Sequence, residues 1–176
     1  MGILKTFGCG LGLAALMASS GVAQEQSTNR VAAKTDWSVF VEDNPTECWG
    51  VSTPKESVNT RDNRVVAVNR GQTLLMVFYR PSAGAKGQVA FTGGYPFASG
   101  STVTMNISGN SFELFTEGEW AWPATTDDDA KIITAMKRGA DAVISGRSGR
   151  GTMTKDTFSL LGFTAAVEDA AKRCGS

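Results

Sequence analysis

The stretch TVTMNISGNSFELFTE, residues 102–117, decides the fold of this 176-residue chain. Val103, Met105 and Ile107 alternate with polar residues, the period of two that is typical of a strand with one buried face. Ser108–Ser111 offers Gly and Asn for a two-residue turn, and a second strand is predicted over 111–117. The stretch therefore predicts a β-hairpin.

Strand signals continue on both sides of this hairpin. Runs rich in Val, Leu and aromatic residues are separated by turns that contain Gly, Asn or Pro. Further strands are predicted over 37–41, 47–53, 64–69, 74–80, 88–92, 142–144 and 153–158, and Trp120 and Trp122 lie on one face of another. Many short strands with closely spaced turns predict a mainly β fold, an antiparallel sandwich or barrel.

Two helical segments interrupt the strands. The first is predicted over about 127–138, with Thr126 as its N-cap and the carboxylates of Asp127–Asp129 in its first turn. Consecutive helical residues point about 100° apart, so these carboxylates favour capping over a metal site. The second is predicted over about 162–173, and its apolar stripe places Cys174 on the buried face.

The first 23 residues have the pattern of a cleaved secretory signal. Lys5 precedes an apolar run that is too short to span a bilayer, and Gly21-Val22-Ala23 suits signal peptidase. An uncleaved anchor is the alternative. Residues 24–35 are polar without an apolar period and are predicted to form a disordered leader, which leaves 36–176 as one domain.

Charge and cysteine content narrow the compartment and the partners. The chain has 17 basic and 17 acidic residues, so no basic excess points to nucleic acid or to an anionic membrane surface. Signal cleavage would remove Cys9 and leave Cys48 and Cys174, which in an exported protein most simply form one disulfide. A metal pair and two free thiols are the alternatives, but no histidine is present to complete a zinc site. The periplasm is the most natural oxidising compartment, with a eukaryotic secretory route as the alternative.

Candidate catalytic groups are few. The absence of histidine excludes Ser-His and Cys-His pairs, and no S-x-x-K motif occurs in the glycine-rich stretch that follows residue 145. Glu113, Glu117 and Glu119 lie near Trp120 and Trp122, a combination that carbohydrate sites use. The glutamates alternate with other residues as solvent-facing positions do, and the tryptophans are predicted to be core or rim residues rather than an exposed stacking platform.

The stretch SGRSGRG, residues 145–151, has the glycine spacing of a phosphate-binding loop. Thr152 stands where a Walker loop requires lysine, and strand patterns lie on both sides where one side would have to be a helix. The stretch is therefore predicted to be a β-hairpin turn. Arg147 and Arg150 near its tip are candidates for contact with an anionic partner.

An ordered set of short motifs runs through the whole predicted domain. These motifs are Asp36-Trp37, Cys48-Trp49, Gly94-Tyr95-Pro96, Trp122, Ala135–Gly139, Ser148–Thr152, Phe158–Phe163 and Cys174. In this order they resemble the invasion-associated locus B (IalB) family of exported alphaproteobacterial proteins. The resemblance implies an immunoglobulin-like β-sandwich in the periplasm or at the outer membrane. It also implies no known enzymatic activity, no cofactor, and a disulfide between the two cysteines that follow the signal.

Together these observations predict a non-enzymatic exported protein that binds an envelope component or a host-surface partner. A carbohydrate-binding or carbohydrate-processing envelope protein is the first alternative, and it requires Trp120, Trp122 and Glu119 to line one open cleft. A structural component of an envelope assembly is the second alternative.

Overall fold

A computed structural model describes residues 29–175 of the chain. The predicted signal, residues 1–23, and the first part of the predicted leader lie outside the described residues. Within residues 29–175, neither helix is long and apolar enough to cross a bilayer.

Twelve strands and two α-helices make up the described part of the chain. The strands are β1 Arg30–Lys34, β2 Trp37–Asp43, β3 Thr46–Ser52, β4 Glu56–Arg61, β5 Arg64–Val65, β6 Leu74–Arg80, β7 Ala85–Thr92, β8 Thr102–Ile107, β9 Asn110–Glu117, β10 Trp120–Trp122, β11 Asp141–Arg147 and β12 Met153–Ser159; the helices are α1 Thr126–Arg138 and α2 Phe163–Arg173. A short 3₁₀ turn, Pro81–Ala83, joins β6 to β7.

All strand pairs are antiparallel and form one continuous order, β1-β2-β3-β6-β7-β10-β9-β8-β11-β12-β4-β5. The predicted hairpin is β8–β9, but its turn lies one residue earlier than expected. Ile107 pairs with Asn110, so the turn residues are Ser108 and Gly109, with φ of 49° and 85°. Positive φ at both central residues gives the right-handed twist that two-residue hairpins need.

The long sheet folds over so that its two halves face each other across one core. Phe91 of β7 and Phe158 of β12, which are not neighbours in the strand order, meet edge to face with ring centroids 6.1 Å apart. A second contact between strands that are not neighbours is a hydrogen bond of 3.0 Å from the indole N–H of Trp37 in β2 to the carbonyl oxygen of Ser159 in β12. The expected mainly β, antiparallel, sandwich-like fold with two helices is confirmed, although the two layers belong to a single hydrogen-bonded strand order.

Helix α2 covers the inner side of β2 and β3. Phe163 packs edge to face on Trp37 with ring centroids 4.9 Å apart, and Gly50 of β3 leaves room for the side chain of Ala166. At the end of α2, Cys174 forms a disulfide with Cys48 of β3, as the two cysteines predicted.

Gly162, the residue before α2, has a left-handed backbone conformation with φ of 89°. A Cβ at this position would overlap the carbonyl oxygen of Lys34 in β1. Glycine is therefore required here both by the backbone conformation and by the close approach of a strand.

The structure corrects several element boundaries. Residues 30–34 of the predicted leader form β1, because their backbone pairs with β2 and an edge strand needs no apolar period. The polar strand β4 was not predicted, and only the first two residues of the strand expected over 64–69 pair in a strand. Residues 85–87, expected to be part of a turn, begin β7. The N-cap of α1 is Thr125 rather than Thr126.

Candidate functional site

The outer side of the first layer carries a second apolar cluster, separate from the core between the layers. We call it the aromatic face. Its members come from strands alone, and they are Phe40, Trp49, Val51, Leu74, Met76, Phe78, Ala90, Trp120 and Trp122. Both helices pack on the inner side of the sheet, so this face looks outward from the sandwich.

Strand register explains why these side chains meet. Directly paired residues of neighbouring strands point to the same side of a sheet. Trp49 of β3 pairs with Phe40 of β2 on one side and with Phe78 of β6 on the other. The Phe40 and Trp49 rings are nearly parallel with centroids 5.6 Å apart, and the Trp49 and Phe78 centroids are 6.0 Å apart. The three rings form one row across three strands.

Arg80 closes one end of this row. Its guanidinium lies 4.2 Å from the centroid of the Phe78 ring, donates to Glu47 at 3.1 Å and donates to Gln88 at 3.1 Å. A guanidinium over an aromatic ring is held by the ring quadrupole as well as by its hydrogen bonds. The charge is thus partly neutralised at the border of the face.

Trp120 and Trp122 occupy the other end of the aromatic face. Ala121, between them, is fully buried in the core, which directs both tryptophans outward. Their rings are nearly parallel, with centroids 6.2 Å apart, and both side chains are half-buried. The structure thus places them at the rim of an outer cluster, neither in the main core nor beneath the helices.

The side chains of the glutamates near the tryptophans are all exposed. Glu113 and Glu117 lie on the outer side of β9, and Glu119 lies in the turn before β10. Trp120 pairs with Glu117 across the strands, so one carboxylate borders the aromatic face.

Arg147 and Arg150 lie at the β11–β12 hairpin, as the sequence predicted. Arg147 pairs with Met153 at the last step of the ladder, and the turn is closed by a hydrogen bond from the N–H of Gly151 to the carbonyl of Ser148. Both arginines are exposed, and β11, which carries Arg147, lies three steps from β10 in the strand order. The structure does not bring them together with Trp120 and Trp122.

A buried ion pair is the most polar feature of the interior. Asp156 of β12 is fully buried and accepts two hydrogen bonds from the guanidinium of Arg70, at 2.7 and 2.8 Å. Arg70 also donates to the carbonyl of Gly93 and lies 5.0 Å from the centroid of the Tyr95 ring, while Ser57 donates to Asp156 at 2.6 Å. Because each charged group in this network has hydrogen-bond partners, we interpret the network as structural: it holds the 93–95 loop against β12.

Asp129 of α1 is a second buried carboxylate. It accepts a hydrogen bond of 2.7 Å from the N–H of Val89 in β7. The short strand β10 pairs with Phe91 and Thr92 of β7 and does not extend to Val89. Burial raises its carboxyl pKa to about 6, against the lowering effect of the Val89 N–H. It lines a concave region of about 590 Å³ with Arg80, Lys86 and Thr126.

Among residues 29–175, no group of three or more His, Cys, Asp or Glu side chains has the geometry to hold a metal ion. Asp128 accepts a hydrogen bond from Lys131 at 2.8 Å and from the hydroxyl of Thr125, so it serves the start of α1. Tyr79 and Tyr95 have pKa values raised by burial, which keeps both phenols neutral.

These features define a class: a disulfide-bonded, sandwich-like β protein whose outer sheet face is aromatic. Comparison with known proteins identifies the family. The family described as "Invasion associated locus B (IalB) protein" matches residues 37–171, and the chain belongs to it. This confirms the family expected from the ordered motifs.

A solved structure supports the same fold. The crystal structure of invasion associated protein b from Bartonella henselae aligns with a TM-score of 0.57 and 14% sequence identity, over 82% of this chain and 98% of that chain. At this identity the likeness concerns the fold alone. Comparison with curated protein sequences finds no match.

Proposed function

We propose that this chain is a non-enzymatic exported protein of the cell envelope that binds a partner from the envelope or a host surface through the aromatic face. Membership of the IalB family and the signal-like N-terminus support export. The Cys48–Cys174 disulfide supports an oxidising compartment such as the periplasm.

The observation that carries the binding proposal is the aromatic face itself. The centre of this face is buried by its own neighbours, and the members around it are partly exposed: Phe40, Val51, Leu74, Trp120 and Trp122. Contiguous apolar surface that stays accessible to a partner is typical of interaction sites. Here three aromatic rings in a row and two parallel indoles share one outer sheet surface. Aromatic residues are enriched at protein interfaces because they bury a large area at low entropic cost.

Site-specific photo-crosslinking tests this proposal. A photoreactive phenylalanine analogue replaces Phe40 in the exported protein in living cells, and a matched variant carries it at Thr134, an exposed position of α1. We expect a discrete adduct with one envelope protein from position 40 and none from position 134. The absence of an adduct at position 40, or equal adducts at both positions, would count against the aromatic face as the binding surface.

Carbohydrate binding is the second candidate, because Trp120 and Trp122 are directed outward and are nearly parallel. Sugars stack on exposed aromatic rings, and the two indoles here lie side by side, partly exposed, on the outer sheet face. Titration of the protein with chitohexaose, followed by tryptophan fluorescence, separates the two candidates. Saturable quenching that Trp122→Ala abolishes would favour the saccharide, and no change would favour a protein partner.

A further inference from the structure

Two turns lie side by side at one end of the sheet. Strand β11 leads into β12 through residues 148–152, and β4 leads into β5 through residues 62–63. Met153 pairs with Thr60, so the start of β12 lies beside the end of β4, and the two turns leave the sheet in the same direction. We call this surface the paired turns, and it comprises residues 61–65 and 147–155.

Positive charge is concentrated at the paired turns. Asp62 is the one acidic residue in these two ranges. The basic residues are all exposed, and they are Arg61, Arg64, Arg147, Arg150 and Lys155. The salt bridges between described residues include none of these five. The whole chain has 17 basic and 17 acidic residues, so the excess of positive charge is local to this surface.

Two exposed apolar side chains lie among these charges. A row on the outer side of the sheet runs through Arg147, Met153, Thr60 and Val65, each paired with the next. Met153 is 48% exposed, and Val65, at 77%, has the greatest exposure of the large hydrophobic side chains in the described part of the chain. Exposed apolar residues that are scattered singly are normal. Here two of them are separated by one threonine in a row that begins with a guanidinium group.

This combination fits an anionic membrane surface. Guanidinium groups bind phosphate oxygens through parallel hydrogen bonds, and each basic side chain close to anionic lipid strengthens binding about fivefold. Apolar side chains between the charges can enter the boundary between the headgroups and the acyl chains, as those of interfacial segments do. A soluble polyanion would also contact the arginines, but it would leave Val65 and Met153 in water.

The surroundings of the paired turns restrict the orientation of such a contact. Residues 93–101 carry no charged side chain, and they border the β11–β12 turn through the pairing of Phe97 with Ser148. Beyond them, the end of β9 and the turn after it carry Glu117 and Glu119. An anionic surface is repelled by these carboxylates, so we expect the contact on the side formed by β12, β4 and β5.

We propose that the paired turns dock this protein on an anionic phospholipid surface, with the arginines on lipid phosphates and Val65 and Met153 among the headgroups. Binding of this kind grows with the buried apolar area and with the number of basic groups, and both are small here, so the docking is weak and reversible. No member of the aromatic face belongs to the paired turns. The two proposals therefore stand or fall separately.

Co-sedimentation with lipid vesicles tests the docking. The exported protein is mixed at roughly 50 mM salt with vesicles of phosphatidylcholine that contain about 30% phosphatidylglycerol, and with vesicles of phosphatidylcholine alone. We expect binding to the anionic vesicles and little binding to the neutral ones. Because salt screens exposed charges, binding to the anionic vesicles should weaken about tenfold or more in roughly 0.5 M salt.

Charge variants locate the contact. Arg147→Gln combined with Arg150→Gln removes two exposed charges from the paired turns and should weaken binding to the anionic vesicles about tenfold or more. Arg138→Gln combined with Lys172→Gln removes the same charge from the exposed ends of α1 and α2 and should bind as the wild type does. Far-ultraviolet circular dichroism verifies that each variant is folded.

An apolar variant separates a membrane from a soluble polyanion. Val65→Ser combined with Met153→Ser keeps every charge, and it should weaken binding to the anionic vesicles about fivefold or more because less apolar surface leaves water. Phe40→Ser, on the aromatic face, should bind vesicles as the wild type does.

Three results would overturn the proposal. A wild type that ignores both kinds of vesicle, or binds both equally, would exclude an anionic membrane as the partner. Equal losses in the two charge variants would place the contact elsewhere on the molecule. An apolar variant with wild-type binding would show that Val65 and Met153 do not enter the lipid, and would assign the arginines to a soluble polyanion.

Discussion

Replacing Cys48 and Cys174 by alanine removes the covalent link between β3 and the end of α2. The two residues are 126 positions apart, and both side chains are buried, at 0% and 7% exposure. For a loop of this length, the chain-entropy model gives roughly 5 kcal/mol of stabilisation through restriction of the unfolded state. Native-state strain and residual structure in the unfolded chain subtract from this value, so we expect a loss of about 3–5 kcal/mol.

Such a loss is large for a domain of this size, because folded domains are stable by only about 5–15 kcal/mol. Urea unfolding at pH 7, followed by tryptophan fluorescence, measures it directly. Wild-type protein reduced with dithiothreitol should lose a similar free energy of unfolding, since reduction also opens the loop and leaves both thiols in place. A loss below about 1 kcal/mol in both samples, with the slope of the transition unchanged, would refute the entropic reasoning.

Three further predictions concern the buried carboxylates and the left-handed glycines. Because the pKa of Asp129 is raised from 3.8 to about 6, the folded state binds a proton more tightly than the unfolded state, and stability should fall as pH rises from about 4 to 6. We expect the free energy of unfolding to fall by about 1 kcal/mol, which is less than the whole pKa shift implies because solvent at the mouth of the concave region screens the carboxylate. Urea midpoints measured across this pH range should fall for the wild type and should lose this pH dependence in Asp129→Asn. Arg70→Met should cost about 3–5 kcal/mol because it leaves Asp156 buried without its cation, whereas Arg70→Met combined with Asp156→Leu should cost clearly less in the same urea assay; equal losses would contradict the ion-pair argument. Gly162→Ala should lower the thermal midpoint much more than Gly118→Ala. Both glycines have positive φ, but only a Cβ at position 162 would meet the backbone of a strand. Equal shifts would show that the backbone conformation alone determines the loss of stability.

The parts of the fold with a clear sequence period were predictable. The alternation in residues 102–107 gave β8 its inner face, and the apolar stripe of α2 placed Cys174 towards the sheet. The hairpin at 147–153 followed from strand patterns on both sides of a glycine turn. In each case the local pattern and the tertiary contacts favour the same structure.

The aromatic face was not predicted, although part of its signal is present in the sequence. The run LLMVFY, residues 74–79, is apolar at every position, which is typical of a strand buried on both sides. It is buried on both sides here, by the core and by the aromatic face. Trp120 and Trp122 lie in a three-residue strand, and its pairing with β7 and β9 determines which of its side chains face the core. This register cannot be inferred from the local sequence.

The Arg70–Asp156 pair joins positions 86 residues apart and could not be inferred from spacing. The polar strand β4 was missed for the same reason. Its Ser57 pairs with Asp156 in the ladder and donates a hydrogen bond to its carboxylate, so a polar strand is stabilised by a polar neighbour that only the fold brings close.

The central claim is that the aromatic face binds a partner. Its most direct measurement is the dissociation constant between this protein and the partner captured at position 40, determined for the wild type, for Phe40→Ser with Trp122→Ser, and for Thr134→Ser as a control. We predict at least about a hundredfold weaker binding for the double variant, because aromatic side chains that anchor an interface each contribute about 2 kcal/mol or more, and no change for the control. Equal affinity for all three proteins would contradict the claim.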